Sequence, residues 1–294
     1  MNQFIGTGVA LITPFNQDLS IDYDALERLV EHNIKNGTEY LVISGTTGES
    51  VTVSKEEKKA LVKFISKVNA GRLPLVLGIG GNNTQAVIDE INTTDLSSID
   101  GILSVSPYYS KPTQEGIYQH FKAISKVSPK PIILYNVPGR TSSNILPGTI
   151  IRLANDCDNI IAVKEAGNNV HQYFELLKTK PEDFLVLSGD DDLALSMALA
   201  GGSGVISVIG QALTRDFTDM IRLGIAGEAK KAYKLHFKLM PITSMIFAEN
   251  NPAGIKAVLS SLNLCKPHVR LPLVEASEEL KKAIDKEVKS LVNS

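Results

Sequence analysis

The sequence contains no tryptophan, only two cysteines, and no long apolar run. A membrane-spanning helix needs about 18 or more apolar residues in succession, so no membrane partner is expected. Cys157 and Cys265 lie far apart without paired spacing, which argues against a disulfide framework or a zinc knuckle. The net charge of -2 leaves no basic excess to suggest nucleic acid. With no signal-peptide pattern at the start, we expect a cytoplasmic protein.

Clustered metal ligands and nucleotide motifs are also missing. Metal-dependent hydrolysis would need grouped histidines and carboxylates, but the five histidines are scattered. The run Asp190, Asp191 and Asp192 could hold a cation, although capping of the following helix is the favoured interpretation. The glycine-rich segment 78–83 lacks the third glycine of a dinucleotide fingerprint. No metal site is therefore predicted.

Short apolar runs alternate with amphipathic segments along the first two thirds of the chain. This alternation predicts an α/β protein, and eight strand-then-helix units favour a (β/α)8 TIM barrel. An open doubly wound sheet is an alternative that a strand count does not exclude. Residues 23–35 and 55–68 are typical of the intervening helices, the second with Ser54 and Glu57 as a capping box. The predicted strands cover residues 9–13, 40–44, 75–79, 101–105, 132–135, 160–164, 184–188 and 204–207.

After the eighth run the pattern becomes entirely helical. We therefore divide the chain into a barrel domain, residues 1–210, and a C-terminal all-helical subdomain, residues 211–294. A tail of this kind usually packs on the barrel or builds a subunit interface. Its predicted helices cover residues 214–226, 228–247, 252–262 and 277–292.

A lysine ends the sixth apolar run. Residues 160–163 are all apolar, which is typical of a strand buried on both faces, so Lys164 stands at the strand's carboxyl end. Ligands bind and chemistry occurs at that end of parallel strands. Two interpretations remain open on this stretch alone: a reactive lysine, or a lysine that pairs with Glu165.

Three other predicted strands end in polar groups that would share the same face of a barrel. Residues 45–50 place two hydroxyls between glycines, a cradle suited to a carboxylate. Tyr108 and Tyr109 lie in a loop with two prolines, and Tyr135 is followed by Arg140 beyond a Pro-Gly turn. An apolar interior disfavours the charged form of an amine and activates it as a nucleophile. Together these groups indicate imine chemistry on a keto acid, with phenols as proton carriers.

Four ordered motifs give this chain its family resemblance. It resembles the dihydrodipicolinate synthase family of the N-acetylneuraminate lyase superfamily, from about Gly6 to the C-terminal helices. The resemblance implies a lyase that condenses pyruvate with L-aspartate 4-semialdehyde in the diaminopimelate and lysine pathway. The motifs are Gly-Thr-Thr-Gly-Glu-Ser at 45–50, Tyr-Tyr-x-Lys-Pro at 108–112, Tyr-Asn-Val-Pro-Gly-Arg-Thr at 135–141 and Val-Lys-Glu-Ala at 163–166.

The resemblance also implies roles for individual residues. It implies a covalent imine on one lysine without any cofactor, and a homotetramer built as a dimer of dimers. One tyrosine of the relay, Tyr109, would reach into a neighbouring subunit. The implied catalytic residues are Lys164, Tyr135, Thr46 and Tyr109. The implied substrate-binding residues are Thr47 for the pyruvate carboxylate, Ile206 and Gly189 beside it, and Arg140 for the semialdehyde carboxylate.

The chain departs from the family pattern in places. Ile79 stands where a threonine is usual, and lysine-inhibited members carry a glutamate at the position of Ala86 and often a histidine at that of Lys55. Inhibition by L-lysine is therefore expected to be weak or absent. One alternative is another pyruvate-dependent aldolase, such as a sialic acid lyase or a keto-deoxy-sugar acid aldolase, against which Arg140 argues. The other, a non-catalytic barrel, predicts the loss of at least one chemical group, and none is missing.

Overall fold

The computed structural model describes residues 2–292, and its centre is a closed barrel of eight parallel strands. Each strand pairs with its sequence neighbours, and β8 pairs with β1 to close the sheet. The predicted TIM barrel is therefore confirmed, and the open-sheet alternative is wrong. The strands are β1 (Gly6–Ala10), β2 (Tyr40–Ile43), β3 (Leu75–Gly78), β4 (Gly101–Val105), β5 (Ile132–Asn136), β6 (Ile160–Glu165), β7 (Leu185–Ser188) and β8 (Gly204–Ser207).

Helices surround the barrel and continue beyond it. The segment after β8 is helical, as predicted, while the exact division at residue 210 stays a prediction. Within residues 2–292, every helix is too short or too polar to span a bilayer. The helices are α1 (Tyr23–Lys35), α2 (Lys55–Asn69), α3 (Thr84–Thr93), α4 (Gln114–Val127), α5 (Pro138–Thr141), α6 (Pro147–Asp156), α7 (Val170–Thr179), α8 (Ala194–Leu199), α9 (Thr214–Ile225), α10 (Ala229–Phe247), α11 (Ala253–Ser261) and α12 (Glu278–Val292).

The first strand begins earlier than the apolar pattern predicts. It starts at Gly6 rather than Val9, and residues 11–13 lie beyond its end. The reason is the Tyr40 ring, which fills the barrel beneath β1: a Cβ on Gly8 would lie 2.1 Å from that ring. A pattern that weighs apolar residues does not detect a strand whose glycines make room for a neighbouring side chain.

The helix after β2 begins where its capping residues predict. The Ser54 hydroxyl accepts a hydrogen bond from the backbone N–H of Glu57, and the Glu57 carboxylate accepts one from the Ser54 N–H. Two backbone donors of the first turn are thereby satisfied, which is the reason α2 starts at Lys55.

Alternation along the strands separates two cores. Side chains that point inward fill the barrel, while the others pack against the surrounding helices. In β6, Ala162 belongs to the barrel interior and Val163 to the outer core. By the same alternation Lys164 points into the barrel and Glu165 points away from it.

Candidate active site at the carboxyl ends of the strands

Lys164 and Tyr135 lie side by side on adjacent strands. They are register partners of β6 and β5, and their exposed fractions are 5% and 7%. The Lys164 Nζ lies 4.5 Å from the centroid of the Tyr135 ring. A cation over an aromatic face is attracted to it, and this contact holds the amine beside the phenol. An amine and a phenol, which are groups able to serve as nucleophile and proton donor, thus lie together at the end of the barrel.

Of two other predicted residues, one borders the Lys164 side chain and the other lies in the barrel interior. Gly189, which follows β7, lies against the stem of Lys164, because a Cβ there would come within 2.8 Å of the lysine Cε. Any side chain at 189 would therefore displace the lysine. Ile206 of β8 is fully buried and belongs to the apolar interior of the barrel. The glycine leaves the lysine its space, and the isoleucine supplies an apolar wall.

The alternative that Lys164 pairs with Glu165 is wrong. The Glu165 carboxylate accepts hydrogen bonds from Asn136 Nδ2 at 2.8 Å, Gln172 Nε2 at 2.9 Å and the Gly167 N–H at 2.8 Å. Burial raises the pKa of Glu165, although the bonds from Asn136 and Gln172 oppose that rise. Since β6 sends these neighbours to opposite sides, Glu165 connects the segments behind the site and does not pair with Lys164.

Thr46 and Thr47 lie in a tight turn directly after β2. The Gly48 N–H donates to the carbonyl of Gly45 at 3.1 Å, and the Glu49 N–H donates to the carbonyl of Thr46 at 3.0 Å. Thr46 is half-buried, and Thr47 is buried with its Oγ1 accepting a hydrogen bond from Asn251 Nδ2 at 3.0 Å. The turn thus holds two consecutive threonines, and their role as a carboxylate cradle stays a prediction.

A cavity of about 450 Å³ opens at this end of the barrel. Three of the predicted residues, Thr46, Tyr135 and Arg140, line it. Because the Lys164 amine contacts the Tyr135 ring, it lies next to the cavity wall. Arg140 stands in the short helix α5 with an exposed side chain. Among residues 2–292 no carboxylate forms an ion pair with it, so its guanidinium faces the cavity without a protein partner.

The cavity lining carries an excess of positive charge. Its charged residues are Lys55, Lys58, Arg140 and Glu90, and Lys58 pairs with Glu90 at 2.5 Å. Neither Lys55 nor Arg140 has such a carboxylate partner among the residues that line the cavity. Low-dielectric walls lined by one sign of charge concentrate ligands of the opposite sign. The cavity is therefore suited to anions.

The two tyrosines after β4 lie toward the surface. Tyr108 lines the cavity and is 37% exposed, whereas Tyr109 is 90% exposed and has a left-handed backbone, with a φ of 72°. The single chain buries neither ring. Of the residues predicted for the relay, Tyr109 is the one whose side chain stands in solvent.

The aspartates of the acidic run after β7 make different contacts. The Asp190 carboxylate accepts hydrogen bonds from the backbone N–H groups of Asp192 and Leu193, so it caps the turn before α8, in line with the predicted role. Asp191 is buried and accepts from the N–H groups of Val208 and Ile209, and burial raises its pKa to about 6. No metal-binding cluster of three or more acidic, histidine or cysteine side chains occurs within residues 2–292.

Sequence reasoning did not identify the contacts of α11 and the segment before it. Asn251 reaches Thr47, and Lys256 reaches Glu49, two residues farther along the turn. A signal for Lys256 was present, because it is the single charge in an apolar stretch at residues 253–259. The same signal had marked Lys164. Nothing in the sequence near Asn251 indicates its contact.

Comparison with known proteins gives a consistent family. The model of the dihydrodipicolinate synthetase family matches residues 3–291. A 4-hydroxy-tetrahydrodipicolinate synthase of Flavobacterium psychrophilum is 55% identical over 291 residues, 99% of each chain. The dihydrodipicolinate synthase of Aquifex aeolicus has 39% identity and a TM-score of 0.94 over 98% of both chains. The lysine-bound enzyme of Cyanidioschyzon merolae has 34% identity and a TM-score of 0.94 over 99% of both. The chain belongs to the dihydrodipicolinate synthetase family.

Proposed function

We propose that this chain condenses pyruvate with L-aspartate 4-semialdehyde to 4-hydroxy-tetrahydrodipicolinate, through an imine on Lys164. It is an enzyme of the lyase class, as its named relatives are. The observation that carries the proposal is the Lys164 amine, buried at a strand end beside Tyr135 and next to a cationic cavity. Amine, phenol and anion site are the parts that a Schiff-base aldolase of a keto acid requires.

The first half of the reaction forms the imine. The neutral amine of Lys164 attacks the keto carbon of pyruvate, and a carbon–nitrogen bond replaces one bond of the carbonyl. A proton moves from the nitrogen to the former carbonyl oxygen, which gives a carbinolamine. Its hydroxyl takes up a second proton and leaves as water, so that the protonated imine remains. Tyr135 is the proton carrier next to that nitrogen, and Thr46 and Tyr109 extend the relay toward solvent.

The second half forms the carbon–carbon bond. The imine withdraws electrons, so a proton leaves the methyl carbon of pyruvate and an enamine results. That carbon attacks the aldehyde carbon of the semialdehyde, and its oxygen takes up a proton to become a hydroxyl. The amino group of the adduct then attacks the imine carbon, which closes the ring and releases Lys164. No metal ion or organic cofactor takes part in these steps.

Each substrate is bound through its own carboxylate. The hydroxyls of the turn at Thr46 and Thr47 bind the carboxylate of pyruvate, beside Ile206 and Gly189. The Arg140 guanidinium presents a planar fork that matches the carboxylate of the semialdehyde. The positive lining of the cavity supports both assignments, because each substrate carries one carboxylate.

The working form is a homotetramer, in which Tyr109 completes the relay of a neighbouring subunit. The exposure of this tyrosine supports the assignment, because a proton carrier has to be shielded from bulk water and the single chain leaves it 90% exposed. Val51, which lines the cavity together with Tyr108, is also exposed and fits an apolar subunit contact.

Borohydride reduction in the presence of pyruvate tests this function. One reduced pyruvate unit should appear on Lys164 in peptide mass spectra, and activity should be lost with it. Lys256 is an internal control, since it is equally buried but bound by a carboxylate. Labelling of Lys256, or no labelling at all, would contradict the proposal. A coupled assay with pyruvate and the semialdehyde then checks the second substrate.

A further inference from the structure

A second buried lysine lies close to residues 45–50, which are called the pyruvate turn because they are proposed to bind the pyruvate carboxylate. Lys256 of α11 is fully buried, and its Nζ lies 2.5 Å from Glu49 Oε1. The same ammonium donates to the carbonyl of His268 at 2.7 Å and stands 4.2 Å from the centroid of the Phe15 ring. The other carboxylate oxygen of Glu49 accepts from the Arg270 N–H at 2.9 Å. Every strong polar group of this pair therefore has a partner.

Such a pair is weak evidence for stability. Taking two charges out of water costs a large part of what their attraction gains, and well-packed neutral pairs often stabilise a fold as well. Buried ion pairs can instead select one geometry among several. The geometry selected here is that of a turn, because Glu49 has a left-handed backbone with a φ of 54° and donates its N–H to Thr46.

A second contact acts on the turn from the same subdomain. The Asn251 amide donates to Thr47 Oγ1, and both residues are buried. A hydroxyl has a single hydrogen to donate, so an amide that occupies a lone pair directs that hydrogen elsewhere. The hydrogen of Thr47 is then available for a substrate carboxylate.

We propose that the C-terminal helical subdomain positions the pyruvate turn, with Lys256 acting through Glu49 and Asn251 acting on the Thr47 hydroxyl. The inference rests on the proposed function, since it concerns the turn that binds the pyruvate carboxylate. Lys256 is a positioning residue and contacts no reacting atom. Loss of its contact should raise the Michaelis constant for pyruvate but not that for the semialdehyde, whose carboxylate is assigned to Arg140.

The test replaces both charges of the pair at once, with Lys256→Met and Glu49→Gln. The double variant leaves no unpaired charge in the interior, so it should fold. Its matched control is Lys238→Met with Asp216→Asn, which removes an ion pair between α10 and α9, away from the turn. Two readouts are needed: hydrogen exchange of the backbone amides in residues 45–50, and the Michaelis constants for both substrates.

We expect the amides of the turn to exchange at least tenfold faster in the Lys256 and Glu49 variant, with the control unchanged. The Michaelis constant for pyruvate should rise about tenfold, and that for the semialdehyde should stay within twofold. Unchanged amide exchange would overturn the positioning role. Faster exchange with an equal rise in both constants, or with none, would overturn the link to pyruvate. Failure of the proposed function is distinct, because the unaltered enzyme would then not be trapped with pyruvate on Lys164.

Discussion

The candidate site has two halves that are held in different ways. Lys164 and Tyr135 stand on adjacent strands, in register, and the hydrogen bonds of the barrel hold them. Thr46 and Thr47 stand in a turn whose outer contacts come from Asn251, about 200 residues away in the chain. The strand-borne half needs only the barrel, while the loop-borne half depends on a second layer of structure.

This difference separates chemistry from substrate placement. A strand at the centre of a closed sheet is rigid, which suits groups that must meet within a hydrogen-bond length. Loops at the strand ends vary without harm to the barrel, so they suit groups that recognise a particular substrate. Arg140 belongs to the same loop-borne half, whereas Thr46 and Tyr109 are the proton carriers that the loops add to the strand-borne pair. Damage to the two halves should therefore have different kinetic signatures.

The largest effect is expected from Tyr109→Phe. Loss of a proton carrier should lower turnover about 10²-fold or more, while the imine on Lys164 still forms. Mixed tetramers sharpen the test. Subunits with Tyr109→Phe and subunits with Lys164→Met should each be inactive alone, and activity should return on co-expression. In the mixture, an intact lysine meets an intact tyrosine from its neighbour.

Complementation would fail if the tyrosine served its own subunit, because each site would then lack one group. Tyr135→Phe is the control from the strand-borne half. Since Tyr135 contacts Lys164 within one chain, mixing Tyr135→Phe with Lys164→Met should restore nothing.

A smaller effect is expected from Arg140→Ala. Loss of a bidentate carboxylate contact should raise the Michaelis constant for the semialdehyde by one to two orders of magnitude, about 1.4 to 2.8 kcal/mol. Trapping of pyruvate on Lys164 should change far less. Arg140→Lys should recover part of the loss, because an ammonium is a point charge without the planar fork. Steady-state kinetics with each substrate varied will check the split, and unchanged semialdehyde kinetics would favour a sugar-acid aldolase.

We expect L-lysine to inhibit the enzyme weakly or not at all. A free ammonium needs a carboxylate partner, and such a charge-assisted bond contributes about 1.5 to 3 kcal/mol. Ala86 offers none, and Glu90, the acidic group of the cavity, already pairs with Lys58. Initial rates at rising L-lysine concentration should stay nearly constant. Ala86→Glu with Lys55→His should introduce inhibition, and strong inhibition of the unaltered enzyme would contradict this expectation.

The last prediction concerns the stability of the scaffold, and the smallest effect on activity is expected here. Burial lowers the pKa of His120 to about 4, while an unfolded histidine has a pKa of about 6.5. Between these values the unfolded chain binds more protons, so this contribution to stability is present above pH 6.5 and is lost as the pH falls toward 4. It is at most on the order of 3 kcal/mol. Denaturant unfolding across this range should show a shallower pH dependence in His120→Asn.

The variant His171→Asn, at an exposed histidine, is the control for the loss of an imidazole side chain in that measurement. Equal slopes in all three proteins would show that His120 does not titrate differently on unfolding. Turnover at neutral pH should be similar in each, because His120 lies in α4, behind the barrel wall.

Local sequence patterns predict the secondary-structure elements and the strand-borne half of the candidate site. Apolar runs of strand length located seven strands closely, and the capping box located the start of α2, because period and capping act between near neighbours. Lys164 was evident as a charge at the end of such a run. The start of β1 differs from the prediction, since Gly8 makes room for the Tyr40 ring of the next strand and Gly6 for the Glu39 side chain.

The contacts that hold the loop-borne half follow from the packing of the folded chain. The contacts of Asn251 with Thr47 and of Lys256 with Glu49 span 204 and 207 positions. No local pattern encodes such a contact, because it depends on how the C-terminal helices pack against the barrel. A lone lysine in an apolar helix needs a partner, which the sequence indicates, but only the packing of the fold makes Glu49 that partner. The residue types limit the reactions that the site can support, and long-range packing determines which of these residues lie together.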